Sequence, residues 1–239
     1  MKSELIRPIQ NRRLPLWRYE ARRAGWTLLA APLTALLVGV ALALLAANGG
    51  SSRDQVGRML LAGPEVLLPL TTGMAAVSML ARDGCRELQL SLPTRYAVTL
   101  GRRLGTLALA GAVCTLLFSA ILGLTGLWAG PGPLASTLVW LPPTLWLAAL
   151  AVLVGILGRS LVVATTVVAV VWLGELLFAA WFAAEGWARP FFLFTTVRFG
   201  VDGDWWTNRL ALTASGLLIV VVVALLLRRP HQLLTEEEV

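Results

Sequence analysis

Two carboxylates stand in stretches that otherwise hold no charge: Glu65 between Arg58 and Arg82, and Glu175 between Arg159 and Glu185. The flanking sequence is apolar enough to lie in a bilayer, where an ionisable side chain is costly and normally has a task or a partner. The chemistry open to these two is the binding of a substrate along a path, or the relay of protons. The plainer role is that each is a protonated acid hydrogen-bonded to a neighbouring helix. At 1.5 Å rise per residue, Glu65 lies about 10 Å in from Arg58 and Glu175 about 15 Å in from Glu185, so both fall in the same half of a membrane and can line one vestibule. Pro64 and Pro69 flank Glu65 and should bend its helix, freeing carbonyls beside it.

Enzymatic constellations are missing. The single histidine, His231, lies near the carboxy terminus, so no histidine-based nucleophile or metal cluster can be built within the apolar stretches. There is one lysine, Lys2, and no G-x-x-x-x-G-K-[ST] motif, which excludes a P-loop for ATP. No G-x-S-x-G nucleophile turn occurs either. Cys85 and Cys114 are not placed for an extracellular disulfide. Glu236, Glu237 and Glu238 read as a solvated end. The expectation is a chain that is not an enzyme and holds no metal or cofactor of its own.

The third feature is a stretch of mixed character over residues 82–103, RDGCRELQLSLPTRYAVTLGRR, lying between two apolar segments. Asp83 is a helix-start residue, and Cys85, Leu88 and Leu92 share one helical face. Pro93 ends that helix. Thr94 can cap a second one that carries Tyr96 and Leu100 on one face and continues into the next apolar segment. A basic loop with an apolar face, a cap and a proline stop is more than a linker; it has the makings of a docking element on the water side of a membrane. The plainer alternative is a basic loop that serves topology alone.

The elements that position these residues follow from composition. With 57% hydrophobic and 14% charged residues among 239, and a mean hydropathy of +0.76, the chain is far too apolar for a soluble domain of its length. Six spans can be marked at about 24–47, 59–81, 104–129, 134–158, 161–184 and 210–227, each long enough to cross about 30 Å of hydrocarbon. Gly130-Pro131-Gly132-Pro133 breaks the long uncharged run into a helical hairpin. The first uncharged run is too long for a signal-peptide core, and five more spans follow it. Of the 20 Lys and Arg, 15 fall in the amino-terminal tail, the loops after the second and fourth spans and the carboxy-terminal tail, which places both termini in the cytoplasm. That asymmetry accounts for the net charge of +7 without nucleic acid. One Lys against 19 Arg points to a GC-rich coding sequence, hence to a bacterial plasma membrane.

Two further segments belong to the membrane surface. Trp17, Ala21, Ala24 and Leu28 recur at helical spacing while Arg18, Glu20, Arg22 and Arg23 point elsewhere, the pattern of an interfacial amphipathic helix. Residues 185–209 hold Trp187, Phe191, Phe192, Phe194, Phe199, Trp205 and Trp206. So many aromatics either form an interfacial belt or fold back as short re-entrant helices over the outer end of the bundle, and their persistence across the whole segment favours the second. The fold expected is all-α and polytopic in a single transmembrane domain.

Taken together, the segment WRYEARRAGW before the first span, the six spans, the loop RDGCRELQLSLPTRYAVTLGRRLG and the apolar outer excursion resemble the ABC-2 type transporter permease family, the membrane subunits of one class of ATP-driven exporters. The loop carries the resemblance furthest: an acidic residue, Leu, Ser-x-Pro, a hydroxyl residue, Arg and a basic close stand here as Glu87, Leu88, Ser91, Pro93, Thr94, Arg95 and Arg102-Arg103. Cys85 departs from the small hydroxyl residue common at its position. The resemblance implies that residues 83–93 are a coupling helix seated on a separate ATPase subunit, with Leu88 and Leu92 as apolar knobs and Arg82, Asp83, Arg86, Glu87, Pro93 and Arg95 completing the contact. It implies two ATPase copies binding ATP and Mg, and a second permease subunit, identical or homologous. The scarcity of polar groups in the spans, with many outer aromatics, fits an amphipathic or hydrophobic cargo. The alternative is a proton-coupled secondary transporter using Glu65 and Glu175, which the lack of an inverted repeat disfavours.

Overall fold

A computed structural model describes residues 27–81, 96–132, 135–201 and 203–228. The expected amphipathic segment around Trp17, the coupling residues Arg82, Asp83, Arg86, Glu87, Leu88, Leu92, Pro93 and Arg95, and the tail with His231 lie outside the described residues. What is described is helical, with no strand among the described residues. The elements are α1 (Thr27–Asn48), α2 (Arg53–Ala62), a π-helical turn (Gly63–Leu67), α3 (Leu68–Ala81), α4 (Tyr96–Leu124), α5 (Thr137–Gly158), α6 (Leu161–Leu177), α7 (Ala179–Ala184), a 3-10 turn (Arg189–Phe191), α8 (Thr195–Phe199) and α9 (Trp205–Leu227).

Five of these helical stretches are long and apolar enough to cross a membrane, the second being α2, the π turn and α3 taken together; α6 is apolar but has 17 residues. The architecture is that of a multi-pass membrane protein. Its periphery carries side chains that water would not tolerate in such density: Leu37 and Leu45 on α1, Leu109, Leu117 and Leu124 on α4, Val162 on α6, and Leu210 and Leu218 on α9 are all well exposed. In hydrocarbon that exposure costs nothing.

Helix α5 is the hub. It packs along α3 on one side and α9 on the other, and also contacts α6. Leu147, Ala151 and Val152 of α5 are buried against Val77, Val168 and Leu212 or against Ala76 and Val223. Close approach is set by glycine: a Cβ at Gly39 of α1 would stand 2.8 Å from the Gly63 Cα, so α1 meets the π turn backbone to backbone. The expected hairpin between the third and fourth spans has its break where the Gly-Pro repeat lies, yet α4 packs chiefly on α1 and α3.

Several boundaries differ from the hydropathy pattern, each for a local reason. Helix α4 is described from Tyr96, the expected Thr94 cap lying outside the described residues, and it stops at Leu124 rather than 129 because Gly126 is left-handed (φ 66°). Gly126 N–H bonds the Gly123 carbonyl and Leu127 N–H the Leu122 carbonyl, a glycine-terminated Schellman cap. Arg53 covers the Thr125 and Gly126 carbonyls just beyond. The expected span 161–184 is broken at Phe178, whose φ of −99° and ψ of 21° leave the helical region and separate α6 from α7. The last span begins at Trp205, five residues before the expected 210, and this draws Asn208 and Arg209 inside a helix. Arg209 was expected among the outer-loop charges; it is instead a buried residue, 1% exposed.

Candidate functional site at one end of the bundle

The sequence between α7 and α9 folds back onto the bundle, and its backbone is broken into a 3-10 turn, the short α8 and the non-helical residues around them. Phe192, Leu193 and Phe194 are fully buried in the main core with Val66, Ala179 and Leu212. Burying irregular backbone in an apolar bundle is possible only if protein groups satisfy its N–H and C=O groups. Four side chains from three elements do this.

Glu65 supplies the first. It sits in the π turn, where Pro64 lacks an N–H and the widened turn restores the ladder through Leu68 N–H to the Gly63 carbonyl. Its carboxylate accepts from Thr196 N at 2.8 Å and Val197 N at 2.6 Å, the free amides of the first turn of α8. The Arg209 guanidinium completes an ion pair with the same carboxylate. Glu65 is 0% exposed. Arg209 also donates to Thr196 Oγ1 at 2.6 Å and Leu193 O at 3.4 Å, and its guanidinium lies 5.6 Å from the Trp205 ring centroid. Trp205 Nε1 donates to the same Thr196 hydroxyl at 3.0 Å.

Asn208, one residue earlier on α9, gathers three carbonyls with one amide group: Phe192 O at 2.8 Å, Pro190 O at 3.1 Å and Arg189 O at 3.2 Å. Glu175, on α6, accepts from Leu193 N at 3.1 Å. Trp172, one turn earlier on the same helix, donates its indole N–H to Val66 O at 2.8 Å and so ties α6 to the π turn beside Glu65. At the rim, Arg189 and Asp204 form an exposed ion pair at 3.0 Å.

The two carboxylates expected to share a vestibule are thus linked through one segment, Glu175 holding Leu193 and Glu65 holding Thr196 and Val197. Their settings differ. Glu65 faces only protein donors. Glu175 lies at the wall of an open groove of about 550 Å³ lined also by Val171, Gly174, Phe178, Trp181 and Phe182. Asn208, Arg209 and Thr196 were not singled out in the sequence as site residues. One signal was available: a carboxylate as deeply placed as Glu65 needs a cation, and Arg209 is among the few on that side. The aromatics divide as well, since Phe192, Phe194 and Trp205 are buried while Trp187, Phe191 and Trp206 are exposed.

Among the described residues, no group of three or more His, Cys, Asp or Glu is arranged to hold a metal ion. The fold and the site define a helical, multi-pass membrane protein with a segment at one end of its bundle pinned to buried charges. No family model, curated protein or solved structure matches the chain.

Proposed function

We propose that the chain is the permease subunit of an ATP-driven exporter of the ABC-2 class, moving an amphipathic or hydrophobic substrate with ATP hydrolysed by a separate pair of ATPase subunits. On this reading six helices cross a bacterial plasma membrane, α6 being the fifth, both termini are cytoplasmic, and a second permease chain completes the path. The observation that carries the proposal is the loop of residues 82–103, whose acidic-Leu, Ser-x-Pro, hydroxyl, Arg and basic elements stand between two membrane-length helices. The arrangement of the bundle agrees with it. Glu65 precedes Ala81 by 16 residues, so the pinned segment and the end of α3 that leads into the loop lie about 24 Å apart along the helix axis. Motion imposed on the loop would therefore travel along that helix to the outer segment.

The proton-coupled alternative draws less support, because the Glu65 oxygens are taken by two amides and a guanidinium. The test is a photo-crosslinking residue placed at Leu88 or Leu92 in native membranes. Capture of a P-loop ATPase, together with loss of transport but retained membrane insertion in Glu87→Ala and Leu88→Ala, is expected. Crosslinks to lipid or solvent alone, or unimpaired transport in both variants, would sink the proposal.

A further inference from the structure

The groove beside Glu175 has the chemistry of a binding site. Val171, Gly174, Glu175, Phe178, Trp181 and Phe182 recur at intervals of three and four, so a single face running from α6 across the Phe178 break into α7 forms its wall. The volume, about 550 Å³, is in the range of small-molecule pockets. Phe178 and Trp181 present ring surface to it, both being well exposed, and Trp181 is braced edge-on by Phe182 at 5.0 Å and by Trp187 at 5.6 Å.

Charge decides what fits. Glu65 has Arg209, whereas Glu175, 6% exposed, has one hydrogen bond from Leu193 N and no cationic partner among the described residues. A carboxylate set among aromatic faces, without a counter-ion, complements a positive charge carried on an apolar body; ring faces add to the attraction for such a cation. An anion would meet the carboxylate directly. A neutral hydrocarbon would leave it without a partner.

We propose that this groove binds a hydrophobic monovalent cation, its charge against the Glu175 carboxylate and its apolar body between Phe178 and Trp181. The site names the cargo class for the export reading, and as cargo it rests on that reading; as a binding site it does not.

The test uses the full chain in lipid nanodiscs, without ATPase or nucleotide, and the probes tetraphenylphosphonium and tetraphenylborate, which share size and shape and differ in charge. Saturable binding of the phosphonium and none of the borate at the same concentrations is expected. Glu175→Gln keeps an acceptor for Leu193 N and should weaken phosphonium binding by about tenfold or more. Gly174→Leu fills the groove from its floor, where an added Cβ meets nothing within 4 Å, and should abolish binding with thermal stability unchanged. Equal binding of the borate, affinity of Glu175→Gln within about twofold of the parent, or full binding by Gly174→Leu each overturns the proposal. Such a failure, with Leu88 still crosslinking to an ATPase, removes the cation site and leaves the export reading in place.

Discussion

Replacing Glu65 by Met should destabilise the protein more than replacing Arg209 by Met, and the double variant should cost much less than the two together. Glu65→Met strands a guanidinium that is 1% exposed and at the same time orphans the Thr196 and Val197 amides. A buried charge left alone costs about 3–5 kcal/mol, and each orphaned amide adds on the order of 1 kcal/mol or more, giving about 5 kcal/mol for the single change. Arg209→Met leaves a carboxylate that still accepts two amides, so its cost should be near the low end, about 3 kcal/mol. The double variant removes both charges and keeps only the orphaned amides, about 2 kcal/mol, so it should fall short of the additive cost by about 6 kcal/mol. Reversible unfolding in mixed micelles measures all three, and hydrogen exchange at Thr196 and Val197 reports the site directly. Where Glu65→Met fails to insert, Glu65→Gln, which retains one acceptor oxygen, takes its place in the cycle. Additive costs, or amide protection at 196 and 197 that survives the loss of Glu65, would refute the reasoning.

Asn208→Leu should leave the carbonyls of Arg189, Pro190 and Phe192 without their shared donor, costing about 1–3 kcal/mol and raising proteolytic cleavage within residues 189–193; unchanged cleavage would argue against the pinning role. Gly39→Val should destabilise by about 1–3 kcal/mol, because its Cβ would collide with Gly63 backbone rather than a movable side chain, while Gly101→Ala, with open space around it, should be neutral or slightly stabilising in the same unfolding assay. Trp172→Phe keeps most of the packing and removes the bond to Val66 O, so a loss of about 1 kcal/mol is expected.

The sequence shows most clearly what depends on single segments. Long apolar runs announce the helices, and Gly126 ends α4 through its own backbone. What depends on partners far apart in the chain is not legible in the same way. Hydropathy places the start of the last span at Leu210 because an arginine lowers the average of any window that includes it, yet that arginine is buried by a glutamate 144 residues earlier. Neither charge alone belongs in an apolar bundle; the pair, with the Thr196 hydroxyl and two amides around it, does. The same comparison separates the two carboxylates that sequence treats alike. Glu65 lies where α9 brings a guanidinium, and it holds the start of α8 in place. Glu175 lies one helix away, where no described cation reaches, beside an open groove. A helix-period pattern finds both residues on apolar helices, but only the reach of Arg209 from α9 to the π turn decides which one is already neutralised and which one still faces unfilled space.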